Sequence, residues 1–318
     1  MDEYTIGVDV GGTKIACGLF DGAGRLIDRH QQPSDPNLPG DAFFDGIATS
    51  CHRLLDRHQV TDEQLRGVGI GMPSYVLYDE GTLVKTVSLP NLRNFAARDY
   101  LANRFGPGVR IVLDNDANTA ALAEYRHGAG RGFRHMVYCA VSTGIGNGLI
   151  IDGHLFRGTH GFAGEGGHML ITPGEGVECG CGNVGCFMSC CSGLLIVKHI
   201  QARIAAGEPT MMTDLAGGAE NITCQTLATA FDQGDSLARW AIEQMASYLA
   251  VWFYNLYVLL DIDCYVLGGG MMNLGDRLFP RVRQLFDQYN DIDLPVYFKP
   301  AELKNDFGII GAAELLNQ

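Results

Sequence analysis

The chain has 318 residues, 47% of them hydrophobic, and a formal net charge of −13, a length that can fill two domains with ample cores. The acidic balance, with no basic run, argues against nucleic acid or an anionic membrane as a partner, although glycine turns and a bound cation can still receive an anionic nucleotide. No apolar run approaches bilayer length, the opening MDEYT carries no charged-then-apolar leader, and the 10 cysteines form no disulfide-like framework, so a reducing, cytoplasmic address is expected.

Residues 5–22, TIGVDVGGTKIACGLFDG, read as a β-branched strand, a turn at Gly11-Gly12, and a second strand ending in Asp21-Gly22. The polar HQQPSDPNLPGD that follows reads as a loop, residues 41–58 place apolar side chains at helical spacing, and VGIGMPSYV at 68–76 is a strand interrupted at Met-Pro-Ser. VSLPNL at 87–92 offers another loop, with Asn91. RIVLDNDANTAALAEYRHG at 110–128 predicts a strand, then Asp114-Asn115-Asp116, then a helix starting near Asn118. Strand ends that feed helix starts are where α/β proteins place chemistry.

Residues 137–153, VYCAVSTGIGNGLIIDG, repeat the plan of the first hairpin: apolar strand, small polar residue, Gly-rich turn, apolar strand, Asp-Gly. The repeat reads as an internal duplication. A glycine turn in a hairpin is often only a turn, but two of them, with Asp9 and Thr143 at matching strand ends, point to a polyphosphate held by backbone N–H groups from opposite sides. Residues 236–260 predict a long apolar helix, DIDCYVLGGGMM a strand running into three glycines that can receive another part of a nucleotide, and FGIIGAAELLNQ a short helix whose Gly308 and Gly311 permit close packing.

Residues 164–193 set a Gly-Glu-Gly-Gly-His run ahead of Cys179, Cys181 and Cys186 in a C-x-C-x4-C array. His168 and these thiols make a Cys3His set, which in structural zinc sites is closed and leaves no position for activating water, so the metal would hold a loop. Gly180, Gly182 and Gly185 are expected to supply positive φ and close backbone approach. The alternative is structural thiols near an unrelated His. Cys190-Cys191 read as buried thiols.

Together these residues resemble the ROK family of bacterial sugar kinases and related repressors, within the actin-like ATPase superfold, over essentially the whole chain. D-V-G-G-T-K at 9–14 looks like the first phosphate motif, S-T-G-I-G at 142–146 the second, L-G-G-G at 267–270 the adenosine motif, and N-D-A-N at 115–118 the catalytic junction. G-x-x-G-x-A-G-E-x-G-H at 158–168, with the downstream cysteines, looks like the family signature and its zinc site. Within the family, GTHGFAGEGGH, SLPNL and the GGGMM…LFPR run look nearest to D-allose kinases. The resemblance implies an α/β, actin-like ATPase (ribonuclease H-like) fold of duplicated domains with a central cleft. It implies a small N-terminal domain of residues 1–116 plus 307–318 and a large C-terminal domain of 117–306 carrying the zinc loop.

The implied reaction moves the γ-phosphoryl of Mg-ATP to a primary hydroxyl, O6, of a hexose or N-acetylhexosamine, with ATP, Mg2+ and structural Zn2+ bound and a homodimer as the assembly. Asp116 is the implied proton acceptor, Asp114 competing with it on sequence alone. Asn115 would bind sugar hydroxyls, unless Asn115-Asp116 serve only as a helix cap. Asp9 would face Mg2+ through water. Gly11, Gly12, Thr13 and Lys14 would cradle phosphates with Thr143, Gly144 and Gly146 opposite, Lys14 standing equally as a solvated charge. Gly268 and Gly269 would admit adenosine. Glu165, His168 and Asn91 would contact the sugar, His168 giving its other ring nitrogen to the metal. One departure concerns Met188, where family kinases usually carry a sugar-binding Glu; it bears on the substrate more than on phosphoryl transfer. The rivals are a sugar-binding regulatory protein without catalysis and an ATPase that needs no sugar. The winged helix-turn-helix of family repressors has no room ahead of a strand starting near residue 4.

Overall fold

The structure, a computed structural model, describes residues 3–86 and 89–318, so Val87 and Ser88 of the expected VSLPNL loop lie outside the described residues. The strands are β1 (Tyr4–Val10), β2 (Lys14–Phe20), β3 (Leu26–Pro33), β4 (Leu65–Met72), β5 (Ser74–Leu77), β6 (Thr82–Thr86), β7 (Phe95–Ala96), β8 (Arg110–Asn115), β9 (Met136–Val141), β10 (Ile145–Ile151), β11 (His154–Leu155), β12 (Cys264–Gly268) and β13 (Tyr297–Pro300). The helices are α1 (Gly40–His58), α2 (Ala97–Ala102), α3 (Asp116–His127), α4 (Phe187–Cys191), α5 (Gly193–Ala205), α6 (Met212–Ala216), α7 (Cys224–Asp232), α8 (Ser236–Leu260), α9 (Phe279–Tyr289) and α10 (Phe307–Glu314). They group into two compact units, one of residues 1–138, 148–164 and 301–318, the other of 139–147 and 165–300.

One five-stranded sheet has the order β3-β2-β1-β4-β8 and another β11-β10-β9-β12-β13. Both follow one plan, a three-strand meander whose first strand accepts two later strands, which is the duplication the paired hairpins predict. In the first sheet β1–β2 and β2–β3 are antiparallel while β1–β4 and β4–β8 are parallel. The parallel strands read as near-continuous apolar runs because both faces are covered. Against one face lie Phe43, Phe44, Ile47, Cys51 and Leu54 of α1, all buried at the 3.6-residue period.

Glycines inside these strands mark where α10 presses on the sheet. A Cβ at Gly7 would strike the Ile309 carbonyl oxygen, one at Gly69 the Ala312 carbonyl oxygen, and one at Gly311 the Thr119 carbonyl oxygen of α3. The expected close packing at Gly308 and Gly311 is thus present, and the helix backbone lies nearer the sheet than side chains would permit. The second unit centres on aromatic packing: Trp252 and Phe253 of α8 are fully buried, and Phe253 meets Tyr265 at 5.3 Å and Phe298 at 5.0 Å between ring centroids.

Two expectations differ from the structure. Helix α3 starts at Asp116, not near Asn118, because the Asn115 side chain accepts from the Ala117 N–H at 2.8 Å and caps it there. The expected division at residues 116 and 307 also differs from the grouping above, which keeps α3, 148–164 and 301–306 with the first unit. The buried Glu124 of α3 accepts from the N–H groups of Ala129 (2.9 Å), Glu302 (3.1 Å) and Leu303 (2.9 Å), tying the returning chain to that helix. Among the described residues no helix is long and apolar enough to cross a membrane.

Candidate active site

In the first unit, Asp9 is the penultimate residue of β1, opposite Ala16 on β2 and beside Gly71 on β4. Its carboxylate occupies the space a Cβ on Gly308 would take, at the first turn of α10. Burial raises the Asp9 pKa to about 6; the negative charge of Asp116 adds to the rise and Lys14 opposes it. Two carboxylates within mutual electrostatic reach, with one ammonium, form a site that gains from a divalent cation. The adjoining turn is fixed by the Gly11 N–H donating to the Lys14 carbonyl (2.9 Å) and the Ser34 N–H to the Thr13 carbonyl (3.0 Å). Gly12, Thr13 and Lys14 are exposed there, so the turn meets solvent.

The catalytic candidates follow at the β8–α3 junction, and the structure separates them. Asp114 is 1% exposed and takes Arg157 Nε at 2.7 Å, Asn118 Nδ2 at 2.7 Å and the Asn115 N–H at 2.7 Å. A carboxylate so engaged has no approach for a hydroxyl. Asp116 is exposed and carries one local contact, from the Ala117 N–H at 2.9 Å. The protein mass around Asp116 raises its titration, an effect limited by the access of its oxygens to water. Asn115 caps α3 and donates from Nδ2 to the Ser74 carbonyl at 3.3 Å. Asn91 is exposed and donates to the Asn37 carbonyl at 2.8 Å. Sequence reasoning does not single out Arg157 and Asn118, because their partner Asp114 becomes visible only in the fold.

In the second unit the Ser142-Thr143-Gly144 turn joins β9 to β10. The Ser142 N–H donates to the Gly144 carbonyl at 2.8 Å, and the first turn of α5 returns the Gly193 N–H to the Ser142 carbonyl at 2.7 Å. Gly146 lies in the adjoining strand β10. Gly268 ends β12, and Gly269, at φ +88°, sits so close to Val141 that a Cβ would strike its carbonyl oxygen. Gly269 is therefore glycine on two counts, conformation and space. A Cβ on Gly144 would stand 3.2 Å from the Met188 methyl, so Met188 borders the turn.

His168, Cys179, Cys181 and Cys186 bring one ligand atom each to within 4.8 Å of one another. His168 Nδ1 is 3.5 Å from Cys179 Sγ, and Cys181 Sγ is 3.6 Å from Cys186 Sγ. These are the edge lengths of a tetrahedron with metal–sulfur bonds near ~2.3 Å, so the donor set fits a small thiophilic ion. Burial, followed by the neighbouring thiols, pushes the Cys186 thiol up to about 12, a cost that a coordinated cation reverses. His168 Nε2 lies on the other side of the ring, 3.8 Å from Glu165 Oε2. The segment is anchored by Trp252, which stacks on Phe187 at 5.0 Å and donates to the Gly166 carbonyl at 3.3 Å.

The loop glycines correct one expectation. Gly182 (φ +91°) and Gly185 (φ +95°) have the expected conformation, and a Cβ on Gly185 would strike the Thr172 carbonyl. Gly180 has no positive φ and, among the described residues, no atom close to where its Cβ would stand. The turn closes through the Gly182 N–H to the Cys179 carbonyl at 2.8 Å, which puts the left-handed residue at its end and leaves Gly180 in ordinary backbone.

Duplicated sheets with glycine turns and an acidic pair at a strand end define an actin-like ATPase fold equipped for phosphoryl transfer. The ROK family model matches residues 5–318. A glucokinase of Halalkalibacterium halodurans is 30% identical over 322 residues, covering 100% of this chain and 96% of that protein. An N-acetylmannosamine kinase of Salmonella typhi is 30% identical over 315 residues, covering 98% and 97%. A solved ROK glucokinase from Streptomyces griseus, in complex with glucose and AMPPNP, superposes with a TM-score of 0.78 at 30% identity over 98% of each chain. The chain belongs to the ROK family. It is an ATP-dependent carbohydrate kinase.

Proposed function

We propose that the protein transfers the γ-phosphoryl of Mg-ATP to the 6-hydroxyl of a hexose or N-acetylhexosamine, with Asp116 accepting the hydroxyl proton. The observation that carries this reading is the β8–α3 junction, where Asp114 is engaged by Arg157, Asn118 and the Asn115 N–H while Asp116 is left exposed, because phosphoryl transfer needs positioning, charge neutralisation and a proton acceptor and little else from the protein. An exposed carboxylate whose proton affinity is raised by the surrounding protein suits acceptance of a proton late in the transfer. Asn115 orients neighbouring hydroxyls, and Asn91 adds a further sugar contact. Asp9 holds Mg2+ through water, and the ion supplies charge neutralisation to the phosphates. Gly11, Gly12, Thr13 and Lys14 bind phosphate oxygens, as do Thr143, Gly144 and Gly146, while Gly268 and Gly269 admit adenosine.

Glu165 and His168 contact sugar hydroxyls. His168 Nδ1 faces the thiol cluster, which suits it to hold Zn2+ while the opposite edge of the ring meets substrate. With all four positions filled by protein, the ion is structural and fixes the loop that carries Glu165 and His168. The glucokinase and N-acetylmannosamine kinase relatives support the substrate class, and Met188, a thioether with no strong acceptor, is the residue that sets the selection within it. The thiol-rich site suits the cytoplasm. The assembly is a homodimer, which light scattering would test.

The test is ADP release from Mg-ATP across glucose, mannose, D-allose, N-acetylglucosamine and N-acetylmannosamine, with Asp116→Asn as control. Turnover that depends on one sugar and falls by about two to four orders of magnitude in the control supports the reading. A sugar that binds without turnover would transfer support to a regulatory sugar-binding protein, and turnover without sugar to a simple ATPase.

A further inference from the structure

Asp114 is the buried carboxylate that phosphoryl transfer does not use. Its two oxygens are fully engaged: Oδ1 accepts from the Asn115 N–H and from Asn118 Nδ2, both at 2.7 Å, and Oδ2 accepts from Arg157 Nε at 2.7 Å. Taking a carboxylate out of water is costly unless a countercharge with good geometry accompanies it, and Arg157 is that countercharge, with 15% of its side chain exposed. Its guanidinium lies over the Tyr78 ring, 3.7 Å from the centroid, while Nη2 is buried with no hydrogen-bond partner among the described residues. A planar, delocalised cation is the side chain suited to stack on an aromatic face and pair a carboxylate together.

Arg157 also begins the glycine segment of residues 158–164. Its carbonyl accepts from the Ala163 N–H at 3.0 Å, closing the segment on itself. Within that closure Gly161, at φ +90°, is seated against the Val76 carbonyl. One residue therefore touches the end of β8 and the residue after β5 with its side chain, and closes the base of a glycine loop with its backbone carbonyl.

We infer that Arg157 is a positioning residue for catalysis: through Asp114 it fixes the Asn115 backbone, hence the Asn115-Asp116 junction, and it ties the 157–163 loop to that junction. The inference rests on the reading of Asn115 and Asp116 as sugar-binding and proton-accepting groups. Asp114 loses its role as a candidate base and becomes the connector between Arg157 and the reacting groups. The requirement is geometric as well as electrostatic, so a lysine at 157 keeps the charge and loses the flat face and fork.

The experiment uses the full chain as wild type, Arg157→Met, Arg157→Lys, Asp114→Asn and the Asp114→Asn/Arg157→Met double variant, with melting temperature, kcat, and KM for sugar and for ATP measured on each. Arg157→Met and Asp114→Asn should each lower kcat/KM for the sugar by about tenfold or more, with KM for ATP held within about twofold, and the double variant should be no worse than the poorer single, as for residues acting in one network. Arg157→Lys should fall between wild type and Arg157→Met, and it carries the test if the methionine variant does not fold. A merely structural role lowers the melting temperature and the active fraction and leaves both KM values unchanged; that result overturns the inference. So do losses that multiply in the double variant, or a folded Arg157 variant with unaltered kcat/KM. The Asp116→Asn control separates the two failures: if it retains turnover, the reading of the junction falls; if it is inactive while Arg157 is indifferent, only the positioning role falls.

Discussion

Replacing Asp9 with asparagine should stabilise the Mg2+-free protein while abolishing its activity. Asp9 titrates at about 6 in the fold against 3.8 for the unperturbed carboxyl, raised chiefly by burial and next by Asp116. The folded state therefore binds this proton more tightly than the unfolded chain. Its contribution to stability is complete below pH ~3.8 and is lost as pH rises through ~6. A shift of about 2.2 units at ~1.4 kcal/mol per unit amounts to about 3 kcal/mol lost by pH 7.5, of which roughly half is already gone at pH 5. With an unfolding entropy of about 2.1 cal/mol/K per residue, the Asp9→Asn protein should melt about 4 °C above wild type at pH 7.5 and about 2 °C above it at pH 5. Scanning calorimetry without added Mg2+ reads this directly. Adding Mg2+ with ATP should raise the wild-type melting temperature more than that of the variant, since the ion offsets the charge that asparagine lacks. A variant no more stable than wild type, or a gap equal at both pH values, would refute the argument.

Chelation of the zinc proposed at the Cys3His cluster, followed by elemental analysis, should lower both melting temperature and sugar affinity while ATP affinity holds, because ligand geometry and the order of the 165–186 loop would be coupled; unchanged sugar affinity in folded, metal-free protein counts against the coupling. Gly69→Ala should destabilise the protein by about 1–3 kcal/mol or more, since the added Cβ meets the Ala312 carbonyl of α10 and backbone on both sides must shift; a melting temperature equal to wild type would contradict the packing. Trp252→Phe keeps a ring to stack on Phe187 but removes the donor to the Gly166 carbonyl. The cost should be about 1 kcal/mol of stability, with a raised KM for sugar and no change for ATP.

The hairpins, the long helix α8 and the cysteine cluster are legible in the sequence because each is encoded locally, by alternation, by 3.6-residue periodicity or by ligand spacing. Strand order is not, since β4 reaches β1, and β12 reaches β9, only through long-range pairing. The expected start of α3 misses Asp116 by two residues because Asn115, Asp116 and Asn118 are all good caps and the choice is made by the Asn115 side chain meeting the Ala117 N–H. Asp114 and Asp116 cannot be separated from the string D-N-D at all. The distinction is made by Arg157, 43 residues away, which reaches the first carboxylate and leaves the second to solvent.

Glycine links the legible and illegible parts of the site. Gly308 is expected to permit close packing, and it does, but its neighbour is the carboxylate proposed to face Mg2+: Asp9 occupies the place of the missing Cβ. The close approach of α10 is therefore also the burial that raises Asp9 toward 6, and a larger residue at 308 would push the carboxylate away from the strand end. Packing of the sheet and the raised proton affinity of Asp9 are consequences of one contact. An evolutionary or engineered change at Gly308 should alter stability and metal dependence together, whereas a change at Gly311, which packs on the Thr119 carbonyl of α3, should reach stability without acting on Asp9 directly.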